Sequence, residues 1–434
     1  MAARRPFSGG AWLDPVAAGP SLLSASGNGR YLVNASGTPI LLWGNAAWNI
    51  ANENTVAEQI TRLDTEVAHG VNAILIQLVS RYQTNAPNDI DGVAPFSTPN
   101  DFSTFNATYF TKALATVRRA RDRGIYCGIA PMWYGYDETG AGDGPQGFYT
   151  AMVSNGTTAC SNYGAAVANI FKDEDNIFWI GGGDRPGDAD QQYAQAVIDG
   201  IRSVSTRHLV TWHWNFDVSD SEPVTPQNIA GCYDWGSNVD NQITTEYDEN
   251  DAPVVLLETL YELNTGFGYT SEAGRARIMN AMLRGAKGFF WGHEGTWHCG
   301  SADTNLPDQS KGQPYDLTST DRLEFERAKA LFAGKNWHLL APAALSSGNG
   351  RIALTPSGDY GVVYSPSGGQ EINRTLMSGN FRAYVYDITN GATTEVSGGP
   401  FPNTGTQTIT PTTVIGGNNG RGATDLAILL EAAA

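Results

Sequence analysis

Two acidic residues stand where an apolar run stops. Asp184 follows Ile177-Phe-Trp-Ile-Gly-Gly-Gly, and Glu258 follows Val254-Val-Leu-Leu. A carboxylate at the end of an apolar strand costs desolvation energy, so it is either paired or used. The paired reading sets Asp184 against Arg185 or Arg81, and Glu258 against a lysine. The other reading is chemical. Cleaving a glycosidic bond takes one carboxylic acid of raised pKa to protonate the leaving oxygen, and one carboxylate to attack or stabilise C1. For either residue alone the two readings are balanced; two such residues at strand ends favour the chemical one.

The neighbouring strand ends are polar and aromatic. They supply Trp43, Asn45 and Trp48, then Gln77, Arg81 and Tyr82, then Trp133 and Tyr134. Further along come Arg185, then His213, Trp214 and Asn215, then Asp234 and Trp235, and finally Trp291, His293 and Glu294. Flat indoles stack on the apolar faces of sugar rings, while amide, imidazole and guanidinium groups bond hydroxyls. Each aromatic taken singly reads more readily as core packing; their concentration at strand ends makes them candidate substrate-binding residues. Glu294 is the substitute for either carboxylate. His213, His293 and His298 lack the spacing of a zinc site, so no metal and no cofactor is expected. Asp89, Asp91 and Asp101 lack EF-hand spacing and read as a solvated acidic loop. No GxSxG is present, which disfavours a serine nucleophile.

These residues need a frame. Strand-like runs at 40–43, 72–78, 125–130, 177–180, 209–212, 232–235, 254–257 and 288–291 alternate with helical spacing at 55–69, 108–123, 163–171, 190–204, 271–284 and 321–332. Eight runs alternating with helices predict an α/β fold, a (β/α)₈ TIM barrel over residues 29–341. The alternative, a doubly wound sheet, calls for a Gly-rich phosphate loop after an early strand. Gly181-Gly-Gly instead runs into Asp184-Arg-Pro. Residues 1–28 read as an N-terminal arm, with a hairpin turning at Asn34–Gly37 just after it. From 342 to 434 short β-rich runs separated by Gly, Pro, Ser and Asn predict a small all-β sandwich domain.

Composition narrows the partners. The 434-residue chain carries a formal net charge of -17, which argues against nucleic acid and anionic membrane, both of which need a basic footprint. Eleven Trp and eighteen Tyr suit an aromatic-lined cleft or a large core. Cys127, Cys160, Cys232 and Cys299 show neither metal-ligand spacing nor a disulfide framework, and are expected to be buried free thiols. No run approaches the ~20 apolar residues of a membrane span, and no apolar stretch follows Arg4 and Arg5, so no membrane insertion and no signal peptide are expected.

The segments Trp179-Ile-Gly-Gly-Gly-Asp184-Arg-Pro and Val255-Leu-Leu-Glu258 resemble the apiosidase-like glycoside hydrolases. So do Gly29-Arg-Tyr-Leu32, Pro39 to Trp48, and Gly285-Ala-Lys-Gly-Phe289 to Gly292, across roughly residues 25 to 340. The resemblance implies a barrel followed by a β domain of the "collagen-binding" type, a carbohydrate substrate, Asp184 as acid/base, Glu258 as nucleophile and a retaining double displacement. Retention would set the two carboxyls ~5–5.5 Å apart, inversion ~6.5–9.5 Å. Family members often carry secretion signals. The missing signal and the Gly-rich arm instead suggest action outside the cell after release by lysis, or assembly into a virion such as a phage tail, with a homo-oligomer as another form of complex and a cytoplasmic location as the alternative. Two competing functions stay open: a carbohydrate- or receptor-binding protein that has lost turnover, and a metal-dependent barrel hydrolase acting on amides or phosphates.

Overall fold

In the computed structural model the residues described are 19–81, 86–135, 147–185, 191–215, 224–234, 239–297, 299, 319–332 and 335–433. Eight parallel strands form one sheet: β1 Leu42–Ala46, β2 Ala73–Gln77, β3 Tyr126–Ala130, β4 Ile177–Gly182, β5 Val210–His213, β6 Ala230–Asp234, β7 Val254–Thr259 and β8 Gly288–Trp291. Neighbours pair in chain order and β8 returns to β1 (Phe289 opposite Trp43), so the sheet curls into a (β/α)₈ barrel. The seam lies between β5 and β6, bridged by the Asn228 and Ile229 amides donating to Val210 O.

Helices between the strands are α1 Val56–Ala68, α2 Ala107–Arg121, α3 Tyr149–Phe171, α4 Gln192–Val204, α5 Val239–Glu249, α6 Ser271–Leu283 and α7 Thr320–Ala330. Thr55 and Glu58 close a reciprocal capping box on α1, which fixes where that helix begins. Two helical stretches exceed the sequence expectation. The first half of α3, Tyr149 to Asn162, is rich in Thr, Ser, Asn and Gly, and bends at Gly156 (φ 76°). α5 is polar, and its helical spacing is hard to see in the sequence. Both are held by tertiary packing rather than propensity. No described helix is long and apolar enough to cross a membrane.

Alternation along the strands separates two cores. Leu42, Ala73, Leu75, Ala130, Phe178, Ile180, Val255, Leu257 and Phe290 fill the barrel. Trp43, Ile74, Ile129, Trp179, Trp212 and Phe289 face the helices. Within the segment expected to be an arm, Ser24–Ala25 pairs with Leu32–Val33, which in turn pairs with Pro39–Ile40. Leu23 and Leu32 join the interior core, and Tyr126 Oη donates to Ser21 O, so this small sheet closes the floor of the barrel.

The C-terminal part is antiparallel. Strands β9 Ala341–Ala343, β10 Arg351–Leu354, β11 Tyr360–Ser365, β12 Gln370–Asn373, β13 Phe381–Tyr386, β14 Thr393–Glu395, β15 Thr406–Ile409 and β16 Leu426–Ala432 make two sheets. One runs β9-β10-β11-β16-β13-β14 and the other is the pair β12-β15. Ile352, Val363, Val385 and Ile428 face a core shared with Ile372 and Ile409 of the smaller sheet. On the other face Ala353, Val362, Tyr364 and Ala427 belong to the same core as the barrel helices.

Candidate active site

The strand ends meet around Asp184, His213 and Glu258, whose nearest side-chain N and O atoms all lie within 4.8 Å of one another. Local backbone explains how Asp184 arrives there. Gly182 (φ 82°), Gly183 (φ 126°) and Asp184 (φ 50°) form a run of positive φ that begins at the last residue of β4. Only glycine adopts the first two cheaply, and Asp tolerates the third. There is also no room for side chains. A Cβ on Gly181 would stand 2.4 Å from the Trp212 ring, and one on Gly183 2.5 Å from Trp133 Cδ2. The Gly183 amide donates to His213 O (2.6 Å), tying the turn to β5.

Glu258 depends on a different device. Val255 and Leu257 point into the barrel and Leu256 points out, so simple alternation would turn Glu258 toward the helices. The pairing of β7 with β6 shifts register between Leu256 and Glu258, so that Glu258 lies opposite Tyr233. Such an extra residue re-aims the side chain that follows it. Glu258 thereby meets His213, whose Nε2 lies 3.0 Å from Glu258 Oε2.

Burial and charge then separate the two carboxyls. Burial, with the nearby Glu258 charge adding to it, pushes Asp184 up to about 7; His213 and a hydrogen bond from Trp133 Nε1 (3.1 Å) pull the other way. Burial pushes the His213 imidazole down to about 4. It is therefore neutral at pH 7, and with a carboxylate opposite, its proton sits on Nε2 and is donated to Glu258. Tyr261, three residues beyond Glu258, accepts at Oη from Trp48 Nε1 (2.8 Å). One carboxyl thus favours its protonated form, while the other accepts a hydrogen bond from His213. Three convergent donors of this kind could also hold a divalent ion.

The expected lining residues divide. Trp48 and Trp133 pack together (ring centroids 4.9 Å apart) and both face the His213 ring, at 5.9 and 4.8 Å. Gln77 ends β2 at an inward position, with its backbone N–H donating to Trp48 O. Around the mouth, Arg185 lies over the Tyr149 ring (3.8 Å) and Arg81 over Phe148 (4.2 Å). Among the described residues neither ion-pairs with Asp184. Asn215 is held beside them by its amide, which donates to Arg185 O. Glu294 is buried and accepts from Trp297 Nε1 (3.2 Å), next to His293, whose Nδ1 accepts from the Gly295 amide.

Five of the candidates pack away from this cluster. Trp43 stacks on Phe325 of α7 (4.4 Å), and Asn45 donates to Glu66 of α1 (2.5 Å). Trp214 stacks on Trp212, Trp291 lies under Arg322, and Tyr134 Oη accepts from the Ala194 amide. All five belong to the layer between strands and helices, and strand-end position alone does not reveal which way such side chains turn. Tyr82, Trp235 and His298 lie outside the described residues. Of the acidic loop, Asp89 and Asp91 pair with Lys112 (2.5 and 2.6 Å), and Asp101 caps the short helix Phe102–Thr104. Cys127, Cys160 and Cys232 are buried free thiols, and Cys299 is partly buried. Two contacts escape a sequence reading that stops at the strand end. Tyr233, one residue before the end of β6, has its ring 4.5 Å from His213, and Tyr261 lies three residues beyond Glu258 with its hydroxyl on Trp48.

A barrel whose strand ends gather two carboxyls, an imidazole and an indole wall has the architecture of glycoside hydrolases, and solved structures bear out the fold. The chain superposes on a protein described as a glycoside hydrolase with TM-score 0.79 and 18% identity, covering 95% of this chain and 97% of the other. It superposes comparably on a glycoside hydrolase family 5 protein from Bacteroides vulgatus ATCC 8482, with TM-score 0.78, 18% identity, and 94% and 93% covered. The family 5 mannosidase from Rhizomucor miehei is more distant, with TM-score 0.50, 10% identity, and 71% and 97% covered. No curated protein matches the sequence. Residues 26–338 match the apiosidase-like catalytic domain, and the chain belongs to that family.

Proposed function

We propose that the protein is a retaining glycosidase in which Asp184 is the acid/base and Glu258 the nucleophile. The observation that carries this reading is the pair itself. The nearest oxygens of the two carboxyls lie within 4.8 Å of each other, which is compatible with the ~5–5.5 Å between carboxyls of double displacement. Asp184 Oδ1 has no hydrogen-bond donor among the described residues and can carry the acid proton. In the first step that proton passes to the glycosidic oxygen as a Glu258 oxygen attacks C1, and the C1–O bond to the leaving group breaks. In the second, Asp184 takes a proton from water, the water oxygen bonds C1, and the glycosyl ester opens to return Glu258 as carboxylate. Trp48 and Trp133 supply the stacking wall, with Gln77, Arg81, Arg185 and Asn215 as hydroxyl partners. The substrate is an oligosaccharide or polysaccharide.

An aryl-glycoside panel of pyranosides and furanosides, run with wild type and Glu258→Gln, tests the reading. Expected are aryl release by wild type, loss of at least about 10³-fold in the variant, and product of retained anomeric configuration. Activity abolished by a chelator and restored by Zn²⁺ would favour the metal-hydrolase alternative. Undiminished sugar binding with no turnover on any substrate would favour the binder.

A further inference from the structure

We propose that Tyr261 is a positioning residue for the substrate wall: its hydroxyl receives the Trp48 indole N–H and fixes the angle at which Trp48 meets a sugar. This rests on the glycosidase reading above, in which Trp48 and Trp133 stack on the substrate. Trp48 comes from the segment after β1, whereas Tyr261 comes from the segment after β7. Trp48 Nε1 donates to Tyr261 Oη at 2.8 Å, and both side chains are buried. An indole carries one donor and no acceptor, so a buried indole settles in the rotamer that meets a partner. That rotamer sets the Trp48 ring at 56° to Trp133 (centroids 4.9 Å apart) and nearly perpendicular to His213 (83°, 5.9 Å).

Tyr261 can serve as an anchor because it is itself held twice. Beyond β7 the backbone continues beside the segment after β8. The Glu262 amide donates to Gly292 O (2.9 Å), the Glu294 amide donates to Glu262 O (3.0 Å), and Glu262 pairs with His293 in a parallel bridge. The Tyr261 ring then packs so closely on Gly292 that a Cβ there would stand 2.2 Å from Tyr261 Cδ1. Its hydroxyl is therefore aimed by backbone pairing and by the missing side chain at 292. One hydrogen bond thus ties the ends of β7 and β8 to the segment after β1, and Trp48 carries that hold to Trp133 and the His213 ring. A wall held in this way has less rotamer freedom to lose when a sugar docks.

The test compares wild type with Tyr261→Phe, which keeps the ring and removes the acceptor. With ¹⁵N-indole tryptophan labelling, the Trp48 N–H resonance is identified by its absence in Trp48→Phe. In Tyr261→Phe that resonance is expected to move upfield and its exchange with solvent to quicken about 5- to 10-fold, as loss of one hydrogen bond implies. With a hydrolysed aryl glycoside, KM should rise about 3- to 10-fold with kcat within about 3-fold, the pattern of lost uniform binding. On a Trp48→Phe background the tyrosine substitution should change KM no further, whereas a purely structural role would act equally on either background. If Tyr261→Phe does not fold, Gly292→Ala, which displaces the ring, is followed by the same resonance and KM. An unmoved resonance or KM in the folded variant, or a further rise in KM on the Trp48→Phe background, overturns the proposal. If the resonance moves but wild type hydrolyses no glycoside, the positioning stands and the glycosidase reading falls.

Discussion

At the scale of the residue, the contrast between Asp184 and Glu258 comes from their surroundings. Asp184 is sheltered, has the Glu258 charge nearby and receives a single indole hydrogen bond, so it is held up to about 7. If it is the general acid, kcat/KM should fall as pH rises through about 7, because the acid must be protonated when the leaving group departs. Asp184→Asn is expected to lose about 10²- to 10⁴-fold in kcat/KM toward poor leaving groups. The same group predicts a stability effect of defined sign. Its folded pKa lies above its unfolded one, so the folded chain holds a proton that the unfolded chain releases. Stability from this group is complete below about pH 4, declines as pH rises, and is gone above about 7. Asparagine stays neutral. Asp184→Asn should therefore raise Tm more at pH 8 than at pH 5, by stabilisation on the order of 1–2 kcal/mol; an equal change at both pH values would rule out the raised pKa.

At the scale of the element, two backbone irregularities deliver the two carboxyls. The Gly181–Asp184 turn passes between Trp212, Trp214 and Trp133 with no space for a Cβ. Gly183→Ala forces a methyl against the Trp133 indole at a φ of 126°, and should cost about 1–3 kcal/mol in backbone strain alone. Since that indole donates to Asp184, the alkaline limb of kcat/KM should shift as well. Urea unfolding and a pH profile measure the two effects, and a variant matching wild type in both would show that the turn relaxes freely. The register shift in β7 is the counterpart for Glu258, since it decides which wall of the strand the carboxylate faces. The parallel strands and their flanking helices supply rigidity, and the irregular residues supply aim.

At the scale of the whole molecule, the C-terminal sheet is fastened to the barrel by buried charge. Arg275 of α6 is bidentate to Asp425 (2.7 and 2.8 Å) and also donates to Glu324 of α7 (2.7 Å). Asn419 Nδ2 and Tyr364 Oη donate to Asp425, and Arg421 pairs with Asp321 (3.0 Å). On the barrel floor, Lys287 Nζ donates to Leu340 O at 2.6 Å, just ahead of β9. Removing one member of a buried ion network leaves its partner's charge uncompensated, at a cost of about 3–5 kcal/mol. Asp425→Ala should therefore lower Tm substantially, and calorimetry of the full chain should show one transition for barrel and sheet together. Two separate transitions would mean that the shared core and the ion network do not couple them.

Much of this was legible in the residue order. The eight apolar runs, the helical spacings and the punctuating glycines determined the barrel, because strand and helix periodicities are local properties of the chain. Asp184 and Glu258 were found as candidates for the same reason: each interrupts an apolar run. Direction was not legible. Trp43, Asn45, Trp214 and Trp291 sit at strand ends as Trp48 and Trp133 do, yet pack outward, because which wall a side chain faces depends on strand register and on the partner helix. The contact between Tyr261 and Trp48 escapes the sequence because it exists only once the segments after β1 and β7 meet. Only the tertiary structure sets the surroundings of the two carboxyls apart. Burial of Asp184, the nearness of the two carboxyls, and the hydrogen bonds from Trp133 to Asp184 and from His213 to Glu258 make the difference, and none of these is a property of the chain before it folds.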